Sequence, residues 1–248
     1  VTAFVQVLLA LKNYRTGAFS FSYTLPLCYT VSQEEGMGTK LSSSVREQVE
    51  KGVSILKQGG VVAFPTDTVY GLGAGIGIDS AAEKVYRIKG RPRRMALPLL
   101  LADLVQLGEV ASSIPASAHL LAERFWPGPL TLVLLKSDSV SDIVSGGNRT
   151  IAVRIPAHPI PTALARGVGT AIIGTSANLS GQPSALTAEE ARAQLRTKVD
   201  LIIEGDCPGG KESTIVDFTV ETPVILRQGA LSIEELRQIC PDITVKGG

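Results

Sequence analysis

Between Ser44 and Ile239, apolar runs of three to five residues alternate with stretches of helical period, and capping residues or glycines mark the switches. Ser44 and Glu47 form a capping box ahead of Val45, Val49, Val53 and Leu56, which recur at helical spacing until Gly59-Gly60 stops the helix. Ser80 and Glu83 open a second helix running to about Ile88, and further helices are expected over 115–125, 187–195 and 232–239, the last with Ser232 and Glu235 as its box. Strands are expected at 61–64, 97–101, 131–135, 151–155, 171–173, 201–203, 215–218 and 224–226, with the glycine- and threonine-rich stretch 65–77 as a loop. Interleaving of this kind gives an α/β fold. No linker-like stretch divides it, so 41–246 reads as one domain.

Composition narrows the function classes. Aromatic residues make up 5% of the chain, so the core is built from Val, Ile, Leu and Ala. Lysine and arginine total 24 against 23 acids, a net charge of +1, which excludes a broadly basic nucleic-acid binder and leaves only a local patch for such contact. Cys28, Cys207 and Cys240 lie far apart with no C-x-x-C, which excludes a zinc knuckle or a dithiol motif and suits a reducing, cytoplasmic compartment. His119 and His158 have no partner at ligand spacing, so neither a histidine metal site nor a Cys-His nucleophile is expected, and no residue is assigned to a metal. The first forty residues stand apart, with no acid before Glu34. Their apolar stretch Phe4 to Leu11 is too short to span a bilayer, and no membrane role is expected. Three readings of 1–40 stay open: a start misplaced upstream of Met37, a cleaved targeting segment, or an ordered extension dispensable for activity.

Two nucleotide-binding motifs fail on inspection. The glycines at 71, 73, 75 and 77 follow a strand, yet the sixth position of G-x-G-x-x-G falls on Ile76 or Ile78. The stretch 205–212 approaches the phosphate loop G-x-x-x-x-G-K-[ST], but Glu212 stands where a hydroxyl is required and Pro208 removes a backbone donor. The basic run is sharper: Lys84, Arg87, Lys89, Arg91, Arg93 and Arg94 cross from a helix end into a proline-containing turn. It reads either as a solvated face, since cations suit helix C-termini, or as a site for a polyanion. The hydroxyl- and amide-rich segments 174–181 and 213–214 read equally as turn formers or as donors to phosphate oxygens.

Seven blocks in order resemble the YrdC-like family of threonylcarbamoyl-AMP synthases: Pro65-Thr66-Asp67-Thr68-Val69-Tyr70-Gly71-Leu72-Gly73, Lys89-Gly90-Arg91-Pro92, Trp126-Pro127-Gly128-Pro129-Leu130-Thr131, Val153-Arg154-Ile155-Pro156, Thr175 to Gly181, Ser213-Thr214-Ile215-Val216-Asp217, and Leu226-Arg227-Gln228-Gly229-Ala230. The resemblance implies a single-domain twisted open sheet with a large positively charged cavity. It implies an enzyme that joins L-threonine, bicarbonate and ATP into threonylcarbamoyl-adenylate and pyrophosphate, a nucleotidyltransferase using phosphate-bound Mg²⁺. Downstream threonylcarbamoyl-transferase proteins then modify tRNA, and a weak tRNA contact would fall on the basic run.

By the same resemblance, Lys89 and Arg91 are the catalytic pair, Thr66, Thr68 and Tyr70 the threonine contacts, and Lys89, Arg91, Arg154, Ser176, Asn178, Ser213 and Arg227 the ATP contacts. The chain departs from many members at Met95-Ala96-Leu97, where they carry Lys or Asn and then Pro-Leu, and in lacking a histidine in the next strand; both bear on the threonine pocket. The chain ends soon after this core, so the second domain of longer members is not expected. Adenylyl transfer of this kind needs positioning and electrostatics rather than a protein nucleophile, which agrees with the missing Cys-His and Ser-His pairs. The rival readings are an RNA-binding module using the same basic cavity, and carbamoyl-adenylate chemistry on another acceptor, as in related domains of hydrogenase-maturation proteins.

Overall fold

Of the three consecutive serines at 42–44, Ser42 caps the first helix, α1 (Ser43–Lys57), its side chain accepting from the Val45 amide. That start lies two residues before the expected Ser44 box; the helix then buries Val49, Gly52 and Leu56. The computed structural model describes residues 41–246, so the expectations for 1–40, Cys28 included, fall outside the described residues. The further elements are β1 (Val61–Phe64), β2 (Gly71–Gly75), α2 (Asp79–Lys89), β3 (Leu99–Leu100), α3 (Leu104–Val110), β4 (Ala111–Ser113), α4 (Ala116–Phe125) and β5 (Leu130–Lys136). After them come α5 (Asp142–Ser145), β6 (Thr150–Arg154), α6 (Pro159–Val168), β7 (Ile172–Ser176), α7 (Ala188–Leu195), a 3₁₀ turn (Arg196–Lys198), β8 (Leu201–Ile202), β9 (Thr214–Asp217), β10 (Val224–Arg227), α8 (Ile233–Arg237) and β11 (Thr244–Val245).

The strands form one mixed, twisted open sheet in the order β11-β10-β9-β5-β6-β3-β7-β2-β1-β8, with β4 added to β5. Alternation along the strands divides the apolar residues between two cores. Val61, Ala63, Leu99, Leu132, Val153, Ile173 and Val216 face one side, where α2, α3, α4, α7 and α8 pack. Val62, Phe64, Leu100 and Ile172 face the other, beneath α1 and α6. Those two helices pack on each other and on β1, β2, β3 and β7.

Two expectations change. The glycine-rich stretch expected as a loop contains β2, a fully buried strand between β1 and β7. Glycine is required at position 73 because an added Cβ would lie 2.6 Å from the Phe64 ring and 2.9 Å from the Ile173 carbonyl oxygen. The second helix begins at Asp79 with Ile78 in the cap position and no side-chain cap bond, so Ser80 and Glu83 do not form the expected box. It ends at Gly90, whose φ of 62° turns the chain sharply before Arg91. Helices α3, α5 and α6 and strands β4 and β11 were not marked by the apolar pattern. The α6 cap is His158, whose Nδ1 accepts from the Ile160 amide.

Candidate active site

Beyond α1 and α6, the same face of the sheet forms the floor of a cavity of ≈180 Å³. Alternate residues of neighbouring strands line it: Gly174 and Ser176 from β7, Leu100 from β3, Arg154 from β6, Thr131 from β5, Ile215 from β9 and Arg227 from β10. The pairing sets Leu100 beside Arg154 and Thr131 beside Ile215. Arg227 reaches this face only because the β9–β10 register shifts between Ile225 and Arg227: Ile225 sits opposite Val216 in the helix-covered core, while Arg227 sits opposite Ile215. Thr66, Val69, Tyr70, Arg91, Glu212 and Ser213 complete the wall from the loops.

The segment 66–69 is a turn organised by one hydroxyl. Thr66 Oγ1 donates to the Val69 carbonyl at 2.7 Å and accepts from the Thr68 and Val69 amides. Thr68 Oγ1 lies 3.0 Å from Thr66 Oγ1 and accepts from Arg154 Nη1 at 2.9 Å. Arg154 is buried; its Nε donates to the Gly128 carbonyl at 2.9 Å and its Nη2 pairs with Asp67 Oδ1 at 2.5 Å. Burial pulls the guanidinium pKa down, and the Asp67 charge and hydrogen bond oppose that. Tyr70 borders the cavity, but its hydroxyl points away and donates to the carbonyls of Ile203 and Gly205, and burial raises its pKa. Cys207 accepts from the Thr66 amide at 3.4 Å; burial first among several causes pushes its thiol up to about 11, which leaves it protonated and a poor nucleophile.

Lys89 is not in the cavity wall. Its ammonium, almost fully buried at 3% exposure, donates to the Ser176 carbonyl at 2.5 Å, the Asn178 carbonyl at 2.9 Å and Asn178 Oδ1 at 3.2 Å. The Lys89 carbonyl in turn accepts from the Ser180 amide at 2.9 Å. The Asn178 amide donates to the carbonyls of Leu179 and Gln182, so that side chain is spent inside its own loop. Lys89 and Asn178 together tie the end of α2 to the loop after β7, behind Ser176. Burial, with Arg91 adding and Glu212 opposing, lowers the Lys89 pKa to about 8.

Arg91 does reach the cavity. Its Nε and Nη2 donate to the carbonyls of Met95 and Ala96, at 3.3 and 2.8 Å. The departure at Met95-Ala96 thus enters the site through its backbone. Arg93 pairs instead with Glu83 at the surface. Ser213 Oγ lies 2.8 Å from Thr131 Oγ1, and Arg227 donates to the Ser213 carbonyl through Nε and Nη2 while its Nη1 pairs with Glu212.

The structure therefore brings Thr66, Tyr70, Arg91, Arg154, Ser176, Ser213 and Arg227 to one cavity, with Thr68 just beneath and Lys89 and Asn178 behind. Sequence reasoning missed Thr131, Asp67 and Glu212. Thr131 was legible as the odd polar residue between Leu130 and Leu132; Glu212 stands in the failed phosphate loop, where the sequence marks it only as a missing hydroxyl. Among the described residues no group of three His, Cys, Asp or Glu could hold a metal. Asp67 and Glu212 are each engaged by an arginine, so a divalent cation here suits phosphate oxygens better than protein carboxylates.

The Sua5–YciO–YrdC family, described as telomere recombination, matches residues 54–229. The chain belongs to this family. A Sua5/YrdC-type protein from Pyrococcus abyssi, named threonylcarbamoyl-AMP synthase, is 41% identical over 208 residues, covering 82% of this chain and 61% of its own length. The Bacillus subtilis threonylcarbamoyl-AMP synthase is 40% identical over 203 residues, covering 81% and 59%. The crystal structure of P. abyssi Sua5 complexed with L-threonine superposes with a TM-score of 0.78 at 41% identity, covering 79% of this chain and 58% of that one. The chain thus spans about three fifths of the length of these Sua5/YrdC relatives. Among the described residues no helix is long and apolar enough to cross a membrane.

Proposed function

We propose that this chain is the catalytic domain of a threonylcarbamoyl-AMP synthase, occupying 41–246. The observation that carries the proposal is the convergence of Arg91, Arg154, Arg227, Ser176 and Ser213 on one cavity beside the Thr66–Thr68 turn, in a chain about 40% identical to proteins of that name. The threonine amine adds to bicarbonate with loss of water to give a carbamate. A carbamate oxygen then attacks the α-phosphorus of ATP, the bond to the β-phosphate bridging oxygen breaks, and pyrophosphate leaves with the electron pair. Arg91 and Arg227 offer charge-assisted donors to phosphate oxygens, and the Ser176 and Ser213 hydroxyls add neutral ones. The Thr66–Thr68 turn, fixed by Arg154, shapes the amino-acid end. Mg²⁺, when bound through the phosphates, supplies further neutralisation of their charge.

The adenylate would pass to threonylcarbamoyl-transferase proteins acting on tRNA, in the cytoplasm where ATP and tRNA meet. The exposed cations Arg87, Arg93 and Arg94 beside the site are where a weak tRNA contact belongs. The test is pyrophosphate release with mass spectrometry of the adenylate. Product is expected only when threonine, bicarbonate and Mg-ATP are all present; equal turnover without threonine would mark an ATPase instead.

A further inference from the structure

Among the described residues, Glu212 is the one carboxylate in a cavity wall that carries three arginines. Three separate segments meet on it. Its Oε2 pairs with Nη1 of Arg227, at the end of β10. Its Oε1 accepts at 2.9 Å from Ser184, in the segment between β7 and α7. Its backbone carbonyl accepts from the Ala230 amide at 2.9 Å, and Gly229 packs so closely that an added Cβ would lie 2.2 Å from that oxygen. The carboxylate is thus fixed in place rather than trailing in solvent.

We propose that Glu212 is a further residue of the binding site, one that sets its affinity for polyphosphate by holding Arg227 neutralised until the anion displaces it. Two bonds to the Ser213 carbonyl, at 3.2 and 3.0 Å, fix the guanidinium plane without help from Glu212. The ion pair therefore contributes charge, not orientation. Both side chains remain accessible, at 42% and 38%, so an incoming anion can reach the pair and exchange for the carboxylate. Arg154 differs: it is buried and its partner Asp67 is only 11% exposed, so that pair is far less open to exchange. The released carboxylate keeps its Ser184 bond. The chemical class that fits is a polyanion able to give Arg227 a bidentate partner as good as the carboxylate it loses, which a phosphate group supplies and an isolated hydroxyl or amide does not.

This inference rests on the adenylate-forming reading, and calorimetry on the whole chain separates the two. ATP and pyrophosphate are titrated, with and without Mg²⁺, into wild type, Glu212→Gln, Arg227→Ala and the double variant. Glutamine is isosteric and retains an oxygen for Ser184, while its amide nitrogen, which cannot accept from Arg227, takes the place of Oε2, so the charge and the Arg227 bond are removed together. Removing an accessible competitor should tighten ATP binding about two- to fivefold, the range expected when an exposed ion pair no longer has to be broken. The salt dependence of binding should steepen, because Arg227 then presents its full charge. In the Arg227→Ala background the same substitution should produce no gain through this pair. Binding that is unchanged or weaker in Glu212→Gln, or an equal gain without Arg227, overturns the role given to Glu212 while leaving the adenylate reading standing. A wild-type chain that binds neither ATP nor pyrophosphate overturns both.

Discussion

Replacing Lys89 by methionine removes an ammonium from three oxygens while keeping most of the side-chain volume. The Ser176 carbonyl retains a second donor, the Asn178 amide at 3.0 Å, but the Asn178 carbonyl and Oδ1 lose the donor that joins them to α2. Two orphaned buried acceptors cost about 1–3 kcal/mol each. Against this, a lysine lowered from 10.5 to about 8 carries a burial cost of roughly 3 kcal/mol that methionine does not. These terms are of similar size and opposite sign, so net stability should fall by no more than about 3 kcal/mol, or about 6–12 °C in Tm for a domain of this size. Activity responds differently. Ser176 and the loop behind it lose their tie, and a displacement of about 1 Å at a catalytic site costs on the order of a hundredfold. Lys89→Met should lower kcat/KM for ATP by about that factor in the pyrophosphate-release assay, and Lys89→Arg should recover only part, since a planar fork cannot reproduce a three-way point donor. Arg93→Ala is the control: Arg93 is 72% exposed and pairs with Glu83 at the surface, so it should change neither quantity appreciably. A Lys89→Met protein with native kcat/KM, whatever its Tm, would refute the argument that this lysine places the Ser176 loop.

The pH dependence separates the two roles of the same ammonium. With a folded value of about 8 against 10.5 for an exposed lysine, the folded chain loses the proton first, so kcat/KM should fall above about pH 8 while the Lys89 contribution to stability rises between about pH 8 and 10.5; an activity profile flat to pH 9.5 would contradict this. Asp67→Asn leaves Arg154 buried without its counter-charge and should destabilise by about 3–5 kcal/mol, read from urea denaturation. Gly73→Ala drives a Cβ into Phe64 and the Ile173 carbonyl and should cost about 1–3 kcal/mol, with partial recovery in a Phe64→Leu background; no loss would show that β2 is more pliant than its neighbours suggest. Arg91→Ala removes a cavity-wall cation held only by carbonyls, and by calorimetry should weaken ATP binding about tenfold or more with little change in Tm.

The sheet was legible to within one or two residues at β1, β5, β6 and β9, because each is a largely apolar run. β2 was not, since glycine carries no β signal of its own; it is a strand there because Phe64 lies across it and leaves no room for a side chain. α6 was not assigned from the sequence; Pro159 and Pro161 stand in its first turn, where a proline gives up no intrahelical donor. Within the site, the blocks of the resemblance located the cavity but could not say which way each side chain points. Lys89 and Arg91 are two residues apart and were read alike. Gly90 separates them: Lys89 is the last residue of α2 and faces inward, while Arg91 follows the left-handed turn and faces the cavity. Arg227 was assigned from its block alone. Its presence on the cavity face depends on a one-residue register shift that no apolar pattern records.

The partners of the cations give the cavity an uneven field. Arg154 carries Asp67 and Arg227 carries Glu212, so each enters the wall largely neutralised. Arg91 and Lys89 are held only by carbonyl and amide oxygens, which orient a cation without cancelling its charge. The two cations without a carboxylate hydrogen-bond partner thus lie at the C-terminal end of α2, on the side of Ser176. A buried arginine without a partner would cost several kcal/mol, which explains why the deepest of the three, Arg154, has the most enclosed carboxylate. The arginine nearer the opening has a carboxylate partner that is itself accessible, because water screens what the pair does not. The depth of each cation on the sheet therefore decides whether it serves the fold or remains available to a ligand.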